Sequence, residues 1–155
     1  MNRIITPAPI RKVLTVRATP QKAFRVFTQY HDRWWPRTHH IGEGALAKAV
    51  IEPRAGGRWY GVDDAGREED WGEVLAWEPP HRLLLAWRIN AKFECDPRVH
   101  TEVEVRFTDL GDDGCRVDFE HRSLGGLGEG ALDTAARMDG GWGVILEHYK
   151  AAAES

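Results

Sequence analysis

The distribution of apolar and polar residues predicts β-strands over much of the chain. Between residues 10 and 18, Ile10, Leu14 and Val16 share one face while Arg11 and Arg17 lie on the other, which is the period-two pattern of a strand. Further segments with strand patterning are separated by glycine- and proline-containing turns, which favour hairpins. These segments cover residues 47–52, 58–62, 71–77, 82–88, 101–109 and 115–122.

Apolar residues at helical spacing predict a helix near each end of the chain. Thr19 and Pro20 suit an N-cap and a first helical position, so a helix is predicted from about residue 20 to residue 30. After a glycine-rich connector at 125–130 the chain turns helical again, either as one helix or as two, with Asp139 capping the second. Four apolar side chains of this terminal segment fall on one helical face: Trp142, Ile145, Leu146 and Tyr149.

The order of these elements indicates the fold class. One strand and one helix come first, then a run of strands, then the terminal helix, without the βαβ alternation of a parallel sheet. In the last predicted hairpin Val103 and Val105 share a face opposite Glu102 and Glu104, so one face of the sheet is exposed to water. We therefore predict an α+β fold in which a strongly bent antiparallel sheet of about six to seven strands packs against a long C-terminal helix.

Length and composition narrow the possibilities. The 155 residues suit one domain, predicted to span residues 1–155 with an ordered core from about residue 10 to residue 153. The formal net charge is -3 and the arginines are scattered among acidic residues, so nucleic acid is not an expected partner. The longest apolar runs, at 83–87 and 143–146, are far shorter than the roughly 20 residues of a membrane helix, so no membrane association is expected.

The N-terminal segment and the cysteines bear on the cellular location. Residues 1–9 lack the continuous apolar segment of a secretory signal. Cys95 and Cys115 have no CxxC spacing that would indicate redox or metal chemistry. A reduced, cytoplasmic location is therefore predicted.

Several segments resemble successive motifs of the domain family named after the activator of Hsp90 ATPase. They are residues 56–60, residues 72–83 with Glu78-Pro79-Pro80-His81 and the following Trp87, residues 101–105, and Gly141-Trp142. The resemblance spans nearly the whole chain. It implies membership of the START and Bet v 1-like (SRPBCC) superfamily, whose helix-grip fold wraps a sheet around a C-terminal helix and usually encloses a hydrophobic cavity.

The resemblance implies three alternative functions, because relatives of this kind bind lipids, hormones or polyketides and a few catalyse cyclisation. The first is a binding protein that holds a hydrophobic small molecule in the cavity. The second is an enzyme of the cyclase or hydrolase kind that uses polar residues there. The third, implied by the family name alone, is a co-chaperone that contacts an Hsp90-type ATPase through its surface. A homodimer is a further alternative that no heptad or apolar edge strand supports.

The chain contains seven tryptophans, and several of them are placed to face one space. With Leu75 and Trp77 pointing inward beside Glu73, the concave sheet face opposite the terminal helix would be aromatic and apolar, which suits an apolar ligand. The alternative is that these rings simply fill the core. The residues predicted to contact a ligand are Trp34, Trp35, His39, His40, Trp59, Trp71, Leu85, Trp87, Phe119, Trp142 and Ile145.

Polar residues supply the remaining candidates. The loop at 34–40 combines two rings, a cation and two imidazoles, and is predicted either to cover the cavity mouth and orient a ligand or to pack as ordinary surface. Adjacent histidines do not easily share one metal, so neither a metal nor another cofactor is predicted. His121, Glu73 and Tyr60 are candidates for proton transfer. The alternatives are that His121 and Glu73 form a structural hydrogen-bonded pair or that they do not meet.

Overall fold

Seven antiparallel strands form one curled sheet in the computed structural model, which describes residues 7–39, 44–90, 92, 94–127 and 130–155. The strand order across the sheet is β1-β7-β6-β5-β4-β3-β2. The strands are β1 (Ile10–Val16), β2 (Leu46–Ile51), β3 (Arg58–Asp63), β4 (Glu68–Glu78), β5 (Arg82–Trp87), β6 (Thr101–Asp109) and β7 (Cys115–Arg122). From β2 to β7, strands that are consecutive in sequence pair antiparallel with each other. At the other edge of the sheet, β1 pairs antiparallel with β7. The predicted fold class is confirmed.

Within the residues that the structure describes, three α-helices accompany the sheet: α1 (Pro20–Thr28), α2 (His31–Trp34) and α3 (Ala131–Glu154). The sequence pattern did not predict α2, because a single helical turn is too short to show a period. The suggestion that Asp139 caps a second terminal helix is wrong. It lies inside the continuous α3, where its carboxylate is 3.0 Å from the ammonium of Lys12.

The N-terminal helices are fixed by side-chain hydrogen bonds to the backbone. The Thr19 hydroxyl accepts from the backbone N–H of Lys22 at 3.1 Å, which confirms the predicted N-cap. The buried Tyr149 hydroxyl donates to the carbonyl of Ala23 at 2.8 Å and so ties α3 to α1. These contacts fix the segment that leads into α2 and the loop after it.

The main core fills the space between the concave face of the sheet and α3. Val103, Val105 and Val117 are fully buried on that face, and Ile145 and Leu146 approach it from α3. Burial of this apolar surface stabilises the fold at about 25 cal/mol per Å² removed from water. The predicted inward faces of β6 and β7 are confirmed.

Two β-bulges in β4 change which of its side chains face inward. The pairing with β3 skips Trp71 and the pairing with β5 skips Leu75, so each is an extra residue in its ladder. Between them the backbone of Gly72 runs so close to β5 that a Cβ there would lie 1.7 Å from the carbonyl oxygen of Ala86. Bulges of this kind bend a sheet, and they direct the ring of Trp71 into the protein.

The outer face of the sheet carries a network of ion pairs. Glu104 on β6 is bonded to Arg82, Arg106 and Arg122 on β5, β6 and β7. Burial alone would raise the pKa of Glu104, but the hydrogen bonds from these guanidinium groups lower it to about 2. Within the described ranges, no helix combines the length and apolar character needed to cross a membrane.

Candidate functional site: a tryptophan-walled cavity

A cavity of about 380 Å³ lies between α3, the loop after α2 and the middle of the sheet. Its volume falls in the range of small-molecule sites. The side chains that line it belong to the loop after α2, to β4 and β5, to the segment that follows β5, and to one face of α3. The lining residues are Trp35, Thr38, His39, Trp71, Trp87, Ile89, Arg137, Met138, Gly141, Trp142 and Ile145.

Four indole rings form the walls of this cavity. Trp35 contacts Trp71 with ring centroids 5.1 Å apart and Trp142 at 5.8 Å, and Trp87 lies 5.6 Å from Trp142. These separations and the tilted or edge-on geometry are those of attractive aromatic pairs. The rings therefore support one another's orientation in the walls.

Three of these four indoles use their N–H groups within the protein. Trp35 donates to the carbonyl of His39, and Trp87 donates to the carbonyl of Ile89 at 3.2 Å. Trp142 donates to Nδ1 of His121 at 3.1 Å. The N–H of Trp71 is buried and has no acceptor in the described part of the chain, and this group is the exception in an otherwise apolar wall.

His121 lies behind the wall as part of a chain of hydrogen bonds. Because its Nδ1 accepts from Trp142, the ring carries its proton on Nε2, which lies 2.8 Å from the hydroxyl oxygen of Thr101. That hydroxyl in turn donates to the carbonyl of Trp87 at 3.0 Å. Burial lowers the pKa of His121 to about 3, so the imidazole is neutral at pH 7.

A second buried histidine repeats this arrangement on the other side of the tryptophan cluster. The indole of Trp59 donates to Nε2 of His31 at 3.1 Å, and Nδ1 of His31 donates to the carbonyl of Phe27 at 3.1 Å. Burial outweighs the opposing effects of that carbonyl and of Asp32, and it lowers the pKa of His31 to about 3. His31 was not among the predicted site residues, although its helical offset of four residues from the apolar Phe27 was a usable signal.

Polar groups of the cavity lie at its solvent-exposed rim. The hydroxyl of Thr38 is 3.0 Å from Nδ1 of His39, which is half-buried. Burial and the nearby His148 lower the pKa of His39. Arg137, on the first part of α3, is exposed, with a guanidinium nitrogen 3.5 Å from the hydroxyl of Thr134. Among the described lining residues, the rim thus carries the guanidinium of Arg137 and the imidazole of His39.

The α3 side of the cavity follows helical periodicity. Arg137, Gly141 and Ile145 are spaced by four residues, as are Met138 and Trp142, so all five lie on one face. Gly141 has helical geometry, and a Cβ added there would meet no atom within 4 Å. The fold therefore leaves open space above Gly141, although glycine inside a helix costs about 1 kcal/mol relative to alanine.

The sequence-predicted ligand contacts divide into two groups. Those that line the cavity are Trp35, His39, Trp71, Trp87, Trp142 and Ile145. Those that do not border it are Trp34, Trp59, Leu85 and Phe119, all of which are buried in the surrounding core. Their surfaces are covered by other side chains: the ring of Phe119, for example, lies 4.6 Å from that of Trp142. His40 lies outside the described residues.

The three candidates for proton transfer do not meet in the cavity. Glu73 was predicted to face inward, which is wrong, because the bulges in β4 place it beside Arg88 at 2.9 Å on the partly exposed side. Tyr60 lies under the guanidinium of Arg58, with 4.1 Å between the guanidinium carbon and the ring centroid. His121 is buried in the hydrogen-bonded chain described above, so the proposed structural pair with Glu73 does not form either.

The lining residues that were not among the predicted ligand contacts are Thr38, Ile89, Arg137, Met138 and Gly141, although Thr38 belongs to the loop at 34–40 that was predicted to cover the cavity mouth. For Arg137, Met138 and Gly141, the helical spacing from Trp142 or Ile145 was an available signal. Ile89 gave none, since it lies beyond β5 in an isolated β-bridge with Cys95. Its position depends on the bulged hairpin, which brings it to the cavity.

A curled antiparallel sheet with an aromatic cavity against its C-terminal helix defines a helix-grip type of domain. The chain belongs to the activator of Hsp90 ATPase homolog 1-like family, whose model matches residues 17–154. The predicted family is therefore confirmed. No curated protein matches the chain in sequence.

Three solved structures illustrate the similarity. An anthrahydroquino-γ-pyrone synthase, Txn09, is 35% identical, with 95% of this chain and 97% of that chain covered and a TM-score of 0.68. CalC, a self-sacrificing resistance protein from Micromonospora echinospora, is 29% identical, with 94% and 93% covered and a TM-score of 0.71. The Aha1 dimer from Colwellia psychrerythraea is 16% identical, with 96% and 97% covered and a TM-score of 0.66, and shares the fold.

Proposed function

We propose that this protein binds a flat, largely apolar, fused-ring molecule in the tryptophan-walled cavity. The observation that carries the proposal is the set of four indole rings around about 380 Å³ of space. Trp35, Trp87 and Trp142 have their N–H groups bonded within the protein, so the walls offer mainly ring surface. Ring surface favours a ligand that stacks.

The size of the space supports the same ligand class. A cavity of this volume has room for roughly three fused six-membered rings with some freedom of orientation. The open space above Gly141 lets such a ring system approach the backbone of α3. The related synthase is named for an anthrahydroquino-γ-pyrone, a fused oxygenated ring system, which supports this ligand class for a chain 35% identical to it.

Nuclear magnetic resonance of the indole N–H groups tests the proposal. Titration with anthracene-2-methanol should shift the signals of the wall residues Trp35, Trp71, Trp87 and Trp142 in a saturable way. Trp77 is the internal control, because its ring packs on Phe24 at 5.0 Å and does not border the cavity. Absence of saturable shifts, or shifts confined to Trp77, would contradict the proposal.

Proton transfer on a bound ring is a second candidate function, favoured by the position of His39. Among the described rim residues it is an imidazole whose pKa burial lowers, which favours the unprotonated ring. In the tautomer whose Nδ1–H donates to the Thr38 hydroxyl oxygen at 3.0 Å, Nε2 holds the lone pair that can accept a proton. A neutral imidazole beside an aromatic pocket suits the removal of a proton from a phenolic or enolic ligand. This role would replace the one predicted for His121, whose lone pair accepts from Trp142.

The Kemp elimination of 5-nitrobenzisoxazole probes such a base. The base takes the ring C–H proton, the N–O bond breaks, and a cyanophenolate is released. His39→Gln should abolish the rate above background, whereas His100→Gln, which removes an exposed imidazole paired with Glu102, should leave it unchanged. An equal rate in the wild type and His39→Gln would exclude His39 as the base.

The co-chaperone and homodimer hypotheses stay predictions. The large apolar side chains exposed in the described ranges are Val13, Leu110, Leu132 and Val144. They are divided among β1, the β6–β7 turn and two distant turns of α3. A continuous apolar patch of several hundred Å² would be the expected mark of a docking surface.

A further inference from the structure

The wall tryptophans are almost completely covered, although they border a cavity. Trp35, Trp71 and Trp142 expose 5%, 1% and 3% of their surface. A molecule of three fused rings that stacks on these indoles therefore has to pass an element of the wall that moves aside. Besides the sheet and the segment after β5, the elements that border the cavity are the loop after α2 and α3.

The loop after α2 is held by the tryptophan cluster itself. The ring of Trp35 contacts the rings of Trp71 and Trp142, with centroids 5.1 and 5.8 Å apart. The indole N–H of Trp35 donates to the carbonyl of His39, whose own N–H donates to the carbonyl of Pro36 at 3.1 Å. Movement of this loop would therefore dismantle the wall on which the ligand stacks.

The two parts of α3 are anchored unequally. From Trp142 onward the helix buries large side chains, the Tyr149 hydroxyl is bonded to α1, and the Glu154 carboxylate accepts from the backbone N–H of Arg17 at 2.9 Å. The first part of α3, residues 131–139, buries mostly small side chains, so it gains less from apolar burial. These side chains are Ala131, Thr134, Ala135 and Met138.

Two features at the ends of this first part hold it only weakly. Its N-cap is Gly130, which has no side chain to accept from the first N–H groups of the helix. At its other end the exposed Asp139 pairs with Lys12 at 3.0 Å, and ion pairs at such exposure contribute little. Segments with few buried apolar contacts open locally at the lowest free energy, which favours opening in residues 131–139.

Three glycines lie within one turn of α3 directly after the first part. Gly140, Gly141 and Gly143 are helical, and a Cβ added at any of them would meet no atom within 4 Å. Close packing therefore does not require glycine at these positions. Glycine weakens a helix interior relative to alanine, and glycine-containing turns are places where helices bend. The helix is thus weakest where its first part joins the anchored remainder.

We propose that residues 131–139 are a movable cover of the cavity, which bends away from the sheet at residues 140–143 to admit and release the ligand. Met138 lines the cavity and moves with the cover, whereas Trp142 stays in place through its bond to His121. The stacking walls are therefore kept while the cavity opens. This inference rests on the proposed binding function and adds the route by which the ligand enters.

Amide hydrogen exchange of the free protein tests the cover without any ligand. The amides of residues 135–143 are those whose helical bonds break when the first part of α3 opens. After correction for intrinsic rates, they should exchange at least about tenfold faster than the amides of residues 146–153. Uniform protection along α3 would overturn the inference.

Ligand kinetics test whether the opening controls entry. The double variant Gly140→Ala, Gly143→Ala strengthens the helix at the bend without changing a lining residue. Stopped-flow fluorescence with anthracene-2-methanol should show both the association and the dissociation rate constant falling about fivefold. The dissociation constant should stay the same, because opening precedes both entry and release.

Ala151→Gly is the matched control, since it places a glycine at an exposed position of the anchored part of α3 and should leave both rate constants unchanged. Unchanged rate constants in the double variant would overturn the cover and leave the binding function standing. Absence of binding, together with fast exchange at residues 135–143, would overturn the binding function and leave the bending of α3 standing.

Discussion

The indole N–H of Trp142 donates to Nδ1 of His121 at 3.1 Å, and this bond links the cavity wall to the sheet behind it. It fixes the orientation of the Trp142 ring and the tautomer of His121. Nε2–H of His121 donates to the hydroxyl of Thr101, which in turn donates to the carbonyl of Trp87. Two of the four wall tryptophans are therefore connected through one buried imidazole. The shape of the cavity thus depends on a polar network that does not border it.

Removal of this N–H should cost more stability than removal of the unbonded one. Trp142→Phe leaves His121 without its donor, whereas the N–H of Trp71 has no acceptor to lose. Both substitutions remove similar ring volume, so Trp142→Phe should lower the free energy of unfolding by about 1–2 kcal/mol more than Trp71→Phe. Urea unfolding at pH 7 measures the difference. Equal losses would show that the Trp142–His121 bond contributes nothing net.

The two buried histidines should make the protein sensitive to mild acid. The pKa values of His31 and His121 are about 3 in the fold, against about 6.5 in the unfolded chain. Well above pH 6.5 both histidines are neutral in the folded and in the unfolded protein, so their ionisation does not change the free energy of unfolding there. As the pH falls below 6.5 the unfolded chain takes up protons that the folded protein does not, so the free energy of unfolding should fall by roughly 3–4 kcal/mol between pH 7 and pH 5.

This pH window isolates the histidines, because Glu104, with a lowered pKa of about 2, contributes to acid sensitivity only below its unfolded pKa of 4.5. Chemical denaturation at several pH values gives the slope. Imidazole resonances supply the independent check: those of His31 and His121 should remain those of neutral rings at pH 5. Titration of either ring near pH 6.5 in the folded protein would contradict the account.

The close approach of β4 to β5 should make Gly72 irreplaceable. A Cβ at this position would lie 1.7 Å from the carbonyl oxygen of Ala86, which is backbone and cannot move aside cheaply. Gly72→Ala should therefore lower the free energy of unfolding by about 3 kcal/mol or prevent folding. Gly140→Ala is the control, because its Cβ meets no atom within 4 Å and should gain about 0.5–1 kcal/mol. Wild-type stability in Gly72→Ala would refute the close approach.

Most of the fold was accessible from the sequence because its signals are local. The N-cap at Thr19 and the alternation of Val103 and Val105 each depend on a few neighbouring residues, and both predictions are confirmed. The alternation failed in β4, where bulges at Trp71 and Leu75 shift the pattern and turn Glu73 outward. Gly72 inside a strand was the available hint of a bulge.

Less of the candidate site was accessible, because a cavity is defined by elements distant in sequence. The tryptophans share one composition signal, yet Trp35 and Trp142 line the cavity whereas Trp59 is covered by core side chains. Only the packing of β3, β4 and α2 determines which tryptophan rings line the cavity and which lie in the core. The hydrogen-bond partner of His121 could likewise not be known until α3 was docked on the sheet.

The central claim, that a fused-ring molecule occupies the space against α3, is tested most directly by filling that space from Gly141. The measurement is the affinity of anthracene-2-methanol for the wild type, Gly141→Leu and Gly140→Leu. Both variants place a leucine in the interior of α3, but position 141 lines the cavity and position 140 is exposed and does not. The account predicts that binding is lost in Gly141→Leu and kept in Gly140→Leu. Unchanged affinity in a folded Gly141→Leu protein would contradict it.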